Sequence, residues 1–241
     1  MLRVEEVRGR RTAAVATARI ADGRVLVLDE ADAPAPDVVL RSGADVLAGI
    51  VRGELNSGLE LLRGTLDIEG DTEQALVVGG MVRLAGTRDT PVEPRALDPV
   101  AVAGALGQVR GDHLRKVMRS GFRPVVLGEI FRRLPDFVNP RKAAEVHLVV
   151  GFRLTGNPTG EVERHVVTVD HGTARVDPVR GGAHEAAQRH ATITCEGHDL
   201  LRLATGHPNP VVGVLRGHLK VHGERARALQ LGSVLDIPQP G

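Results

Sequence analysis

The 241-residue chain is predicted to be an α+β protein built from two copies of one unit, each a mostly antiparallel five-stranded sheet with helices packed on one face. Three observations lead there. The stretches Val38–Leu76 and Ala191–Leu229 align at one constant offset without a gap. Runs of alternating apolar residues are separated by turn dipeptides. Short helical patterns, ended by glycine or proline, fall between those runs.

The repeat rests on identities and on phase. Leu47, Gly53, Asn56, Leu62, Arg63, Gly64, Leu66, Gly70, Ala75 and Leu76 match Leu200, Gly206, Asn209, Leu215, Arg216, Gly217, Leu219, Gly223, Ala228 and Leu229. Most differences keep apolar character, as in Leu40 with Ile193 and Ile68 with Val221. The chain accordingly divides into a truncated unit at 1–84, a helical linker at 85–120 and a complete unit at 121–241.

In the first unit, Thr12–Ile20 and Arg24–Asp29 flank Ala21-Asp22-Gly23, a hairpin signal. Pro34 and Pro36 force a loop, and Val38–Arg41 resumes a strand. Ser42, three residues before Asp45, is the expected N-cap of a helix whose face is Val46, Leu47, Ile50 and Val51, ended by Gly53. Leu66 and Ile68 alternate with charged residues, a strand with one wet face. A helix from about Asp71 to Leu84 should follow. Pro91 and Pro94 mark the linker, and Asp98-Pro99 gives an N-cap and first-turn proline for a helix, with a second at Asp112–Arg119. These helices, or another subunit, are candidates to supply a wall the first unit lacks.

In the second unit, Val126, Leu127, Ile130, Phe131 and Leu134 form a broad helical stripe stopped by Pro135. Val146, Leu148, Val150, Phe152 and Leu154 alternate as the buried face of a long strand. Asn157–Gly160 turns into a strand over Glu161–Val169, Asp170-His171-Gly172 makes a hairpin with Ala174–Val179, and the Gly181-Gly182 loop leads to Ala191–Cys195. A helix at Asp199–Thr205, a loop at His207–Val212, a strand through Leu219 and Val221, and a helix at Arg225–Leu235 complete the unit.

Composition excludes several functions. With 42% hydrophobic and 25% charged residues the chain is neither disordered nor fibrous. Residues 1–90 carry a net charge of −4 and residues 91–241 one of +5, an asymmetry that either docks the halves or is solvated surface. Nucleic-acid binding is disfavoured, because no dense basic run exists and there is no Trp or Tyr to stack on bases. The lone Cys195 forms no internal disulfide and fits a cytoplasmic location. No apolar run is long enough for a transmembrane segment.

The second copy carries a short strand, a helix reading Asp-Leu-Leu-x-Leu-x-x-Gly, a proline-containing loop and a strand closing as Arg-Gly-x-Leu-Lys-Val-x-Gly-Glu. It resembles the sterol carrier protein 2 family of lipid-binding domains over roughly Val125 to Leu235. The first copy fits over its later two-thirds, lacks the leading helix, and has at best Leu2–Val7 as its first strand. Its sheet edge is expected to be incomplete, which makes a homodimer possible.

The resemblance implies a hydrophobic tunnel between helices and sheet, holding a sterol, a fatty acid or an acyl-CoA-like lipid, and hence a lipid-transport role. The second copy is the expected holder, because all four phenylalanines lie within it or at its edge. Helix residues Leu127, Phe131, Leu134, Leu200 and Leu203, strand residues Val150 and Phe152, and the loop pair Val211 and Val212 are the candidate ligand-binding residues. Each is alternatively plain core. Burial of roughly 300–400 Å2 of lipid at about 25 cal/mol/Å2 would give about 8–10 kcal/mol gross, from which association subtracts several.

No catalytic residue, metal ligand or cofactor is assigned. All ten histidines lie between His113 and His222, yet His218 and His222 on a strand would stand about 13 Å apart. His165, His171 and Asp170 could meet at the hairpin, although turn chemistry explains the last two. No Gly-x-Ser-x-Gly elbow, Walker A loop or Gly-x-Gly-x-x-Gly after a strand is present. An isomerase or cyclase acting on an apolar metabolite in the same tunnel, or a structural partner of a larger enzyme complex, are the alternatives.

Overall fold

The computed structural model describes residues 1–8, 11–21, 24–29, 33–72, 75, 97–179, 189–207 and 210–237. The chain divides into two compact units: Met1–His113 with Ser120–Phe122, and Leu114–Arg119 with Arg123–Gly241. Phe122 therefore belongs to the first unit, and three phenylalanines remain in the second.

The first unit contains β1 (Leu2–Arg8), β2 (Arg11–Ala21), β3 (Arg24–Leu28), β4 (Val38–Ser42) and β5 (Leu66–Gly70), in spatial order β3-β2-β1-β4-β5. β1 runs parallel to β4 and the other three pairings are antiparallel. The first strand, expected at best over Leu2–Val7, is a full strand at the centre of the sheet, paired on both sides, and the edge strands are β3 and β5.

Two helices connect β4 to β5. α1 (Ala44–Arg52) closes at Gly53, and α2 (Ser57–Arg63) opens on Asn56, whose Oδ1 accepts from the Leu59 N–H at 3.0 Å. α2 was not expected. Ser42 does not cap α1; it is the last residue of β4, its hydroxyl donates to the Thr65 carbonyl at 2.6 Å, and Gly43 occupies the cap position. Strand pairing with Leu66 claims Ser42 before the helix can.

The helix expected at Asp71–Leu84, the linker prolines, the tip of the first hairpin and the Gly181-Gly182 loop fall wholly or largely outside the described residues. α3 (Pro99–Leu106) is capped by Asp98, whose carboxylate accepts from the Ala101 N–H at 2.7 Å, and packs against α2. α4 (Gly111–Val117) follows; its His113 lies in the first unit, with Nε2 donating to the Leu61 carbonyl at 2.8 Å.

The second unit repeats the topology. β6 (His147–Thr155), β7 (Glu163–Asp170), β8 (Thr173–Pro178), β9 (Ala191–Glu196) and β10 (Lys220–Gly223) lie in the order β10-β9-β6-β7-β8, with β6 and β9 again the parallel pair. α5 (Arg123–Arg133) precedes the sheet and runs into a 3-10 turn at Leu134–Phe137, because Pro135 cannot continue the α-helix. α6 (Gly197–Ala204) and α7 (Pro210–Leu215) connect β9 to β10, and α8 (Arg225–Val234) ends the fold. In β6 the even positions Leu148, Val150, Phe152 and Leu154 are buried as the alternation predicts. α6 and α8 pack on β6 and β9, so the core lies between this face and the helices.

Candidate functional site

α5 aims Leu127 and Phe131 into the core of the second unit, and Leu134 is half-buried at the start of the 3-10 turn. Val150 and Phe152 meet them from β6, and Leu200 is buried on α6. The structure brings Phe131 and Phe152 edge to face at 5.7 Å between ring centres. Phe131 also stacks on His165 of β7, with centres 3.9 Å apart and planes 16° from parallel. Leu203 and Val212 are half-buried, and Val211 is 49% exposed. The last two do not lie in a loop: they open α7, whose six residues include Gly213 and are too few to display a helical period.

One buried cation holds α5 in place. Arg123, 2% exposed, donates from Nε and Nη2 to Glu163 Oε2 at 2.9 and 2.6 Å, from Nη2 to the Thr155 carbonyl at 3.0 Å, and from Nη1 to the Met118 carbonyl at 3.2 Å. The guanidinium passes so close to Gly197 that a Cβ there would sit 2.7 Å from Nη1. The sequence carries no local signal for this pair, because its partners are 40 residues apart.

A cavity of about 410 Å3 opens between α6 and the segment from α7 to β10. Leu203 and Leu219, with Gly206 and Gly213, supply its apolar surface. Arg202, Arg216, His207 and His218 supply positive or protonatable groups, against the single carboxylate of Asp199. Asp199 Oδ1 lies 3.4 Å from His218 Nδ1 and 3.5 Å from His198 Nε2. Of the candidate ligand-binding residues, Leu203 alone lines this cavity. The Nε of Arg202 is buried without a hydrogen-bond partner among the described residues.

The remaining titratable groups fall elsewhere. Asp170 Oδ1 lies 3.0 Å from His147 Nδ1 and 2.8 Å from His171 Nδ1, and hydrogen bonds from these two rings hold its carboxyl below the usual range. His165 does not join that cluster; burial against Phe131 keeps its imidazole below its ordinary range, opposed by the nearby charge of Glu163. Burial pushes the Cys195 thiol up to about 12. His218 precedes β10 instead of lying on it. Among the described residues, no group of three or more His, Cys, Asp or Glu side chains is placed to hold a metal ion, and no helix is long and apolar enough to cross a membrane.

Two segments, residues 6–83 and 127–236, match the family described as the SCP-2 sterol transfer family, and together they make up more than half of the chain. The chain belongs to the SCP-2 sterol transfer family. No curated protein matches it. Among solved structures it is similar to the sterol carrier protein domain 2 of Helicoverpa armigera, at 20% identity and a TM-score of 0.37, covering 46% of this chain and 84% of that one. It is also similar to Sterol Carrier Protein 2 Like 2 from Aedes aegypti, at 18% identity and a TM-score of 0.36, covering 47% and 95%. A third similarity, to a stereoselective inverting sec-alkylsulfatase from Pseudomonas sp., has 12% identity and a TM-score of 0.40 and covers 85% of this chain and 33% of that one.

The two SCP-2 segments differ in how their helices are covered. In the second, α5 packs on α6, and Leu200 and Leu201 are buried. In the first, the equivalent Leu47 and Ala48 are half-exposed, and Val51 is exposed. Conversely, α3 packs on α2, where Leu62 is fully buried, whereas the equivalent Leu215 of α7 is 81% exposed.

Proposed function

We propose that this protein binds and carries a hydrophobic small molecule, such as a sterol, a fatty acid or an acyl-CoA-like lipid, in its second unit and in the cytoplasm. The observation that carries the reading is the cavity of about 410 Å3 beside Leu203 and Leu219, a volume in the range that small ligands occupy. Membership of the SCP-2 sterol transfer family supports it, as does the apolar layer of Leu127, Phe131, Val150, Phe152 and Leu200 between α5, α6 and β6. A ligand chain entering past Leu203 would continue along this layer, with Leu134, Val211 and Val212 toward the rim. The unpaired, buried Cys195 is compatible with a reducing compartment.

The first unit serves as a structural half in this reading, its α2 surface already covered by α3. Native mass spectrometry of the purified full chain, followed by organic extraction, tests the proposal. Bound lipid that a fluorescent fatty acid displaces is the expected result. Persistent absence of lipid, with no uptake of the probe, would overturn it.

A further inference from the structure

The repeat supplies an internal control for the cavity, because the constant offset pairs each lining residue with a residue of the first unit. Gly213 pairs with Glu60, Arg216 with Arg63 and His218 with Thr65. In the first unit the Glu60 carboxylate is buried; Arg63 Nη1 donates to its Oε1 at 2.7 Å and the Thr65 hydroxyl donates to its Oε2 at 2.6 Å. In the second unit the carboxylate is missing, since residue 213 has no side chain, yet its arginine partner is retained as Arg216. Arg216 makes no ion pair among the described residues.

Other exchanges add positive charge to the same place. Arg202 stands where the first unit has Gly49, whose missing side chain is replaced by Leu55, with Cδ1 only 2.7 Å from where a Cβ would be. His207 stands where the first unit has Glu54, and His218 where it has Thr65. Asp199, the opposing carboxylate, faces His198 and His218. The first unit has thus filled and neutralised a site that the second leaves open and cationic, with the Arg202 Nε buried and unpartnered among the described residues.

We infer that the cavity between α6 and the α7–β10 segment is a head-group site for an anionic amphiphile, whose carboxylate or phosphate takes the place that the Glu60 carboxylate holds in the first unit. Arg216 and Arg202 receive the anion, and Leu203 and Leu219 receive the start of the apolar chain. A neutral sterol would use the apolar layer alone and leave both guanidinium groups without an anion. The inference rests on the carrier reading and narrows its ligand class.

The test compares cis-parinaric acid with its alcohol by fluorescence titration of the 241-residue protein, for the wild type, Arg216→Gln, Arg202→Gln and Gly213→Glu. Wild type should bind the acid about tenfold more tightly than the alcohol or better, as a hydrogen-bonded charge pair implies. Arg216→Gln removes an exposed guanidinium and should cut the ratio toward one with an unchanged melting temperature. Gly213→Glu recreates the internal carboxylate and should do the same. Its Cβ would sit 2.8 Å from Cδ1 and 3.0 Å from Cγ of Leu219, so that side chain must shift, and the first unit buries both a glutamate and a leucine at the equivalent positions, Glu60 and Leu66. Inorganic phosphate at millimolar concentration should not displace the acid.

Equal affinity for acid and alcohol in the wild type, or an acid preference that survives both Arg216→Gln and Gly213→Glu, would overturn the head-group site and leave the carrier reading standing. Displacement by phosphate without any acid preference would assign the cavity to a free oxyanion and overturn it as well. Failure of both probes to bind would overturn the carrier reading itself.

Discussion

Arg123 at the start of α5 and Glu163 at the start of β7 form an ion pair in which the guanidinium is almost wholly buried and the carboxylate is partly open to water. The same guanidinium also donates to the carbonyls of Thr155 and Met118, which ties the start of α5 to the end of β6 and to α4. Removing the cation strands these acceptors and a half-buried carboxylate. Arg123→Gln should therefore destabilise the second unit by about 2–3 kcal/mol, and Glu163→Gln by less, because Glu163 retains water. Denaturant titration of the two variants measures the order; equal and negligible losses would contradict it.

Two glycines that pair across the repeat make a second prediction. Gly70 and Gly223 close β5 and β10 with φ of 91° and 87°. A Cβ at Gly70 would lie 2.0 Å from the Asp37 carbonyl oxygen, and one at Gly223 2.6 Å from that of His190. Both obstacles are backbone, so no rotamer relieves them. Alanine at either position should cost more than about 1 kcal/mol, with Gly70→Ala the worse. Thermal denaturation gives the ranking.

Glycines of this kind leave no periodic trace in a single sequence. The constant offset exposed the repeat, and alternation in Val146–Leu154 exposed the buried face of β6, because both are periodic signals carried by many residues. α2 and α7 escaped notice because helices of seven and six residues, each with an internal glycine, offer less than two turns of pattern. The candidate lining residues are all apolar and do not include the arginines and histidines of the cavity. The repeat carries a signal for them in the exchange of Glu60 for Gly213. The Arg123–Glu163 pair had none, since it joins two elements that only the fold brings together.

Protonation of one buried and one half-buried imidazole should weaken the fold in acid. Burial is the main influence holding both His165 and His198 below the ordinary range, opposed by Glu163 for the first and by Asp199 and Glu196 for the second. The unfolded chain takes up these protons near pH 6.5, whereas the folded chain resists until lower pH. The unfolded state then binds more protons, so stability falls as pH drops from about 6.5 through the folded values. Urea midpoints at pH 7.5 and pH 5 should differ in that sense. His165→Phe, which keeps a ring on Phe131 without a charge, should flatten the dependence; an unchanged slope would contradict the assignment.

Cys195 should be inert in the native protein. It lies on β9 facing the core, and burial pushes its thiol up to about 12, so almost no thiolate exists at pH 8. Iodoacetamide should leave the folded chain unmodified for hours and label it fully in denaturant. Rapid native labelling would mean that β9 opens readily.

Phe152 gives the most direct probe of where the apolar layer accepts ligand. It is buried on β6 with its ring edge to face against Phe131, which also stacks on His165, the cross-strand neighbour of Phe152. Phe152→Trp enlarges a side chain that has no free direction along this stack, and overpacking of that kind costs about 1–3 kcal/mol. If the layer between α5, α6 and β6 accepts a lipid chain, the larger ring occupies part of its path, and affinity for cis-parinaric acid should fall severalfold. The chain has no Trp or Tyr of its own, so the new indole is also a clean reporter, and its emission should shift when ligand enters. Unchanged affinity and an unshifted emission maximum would place the lipid elsewhere and leave Leu127, Phe131, Val150 and Phe152 as plain core.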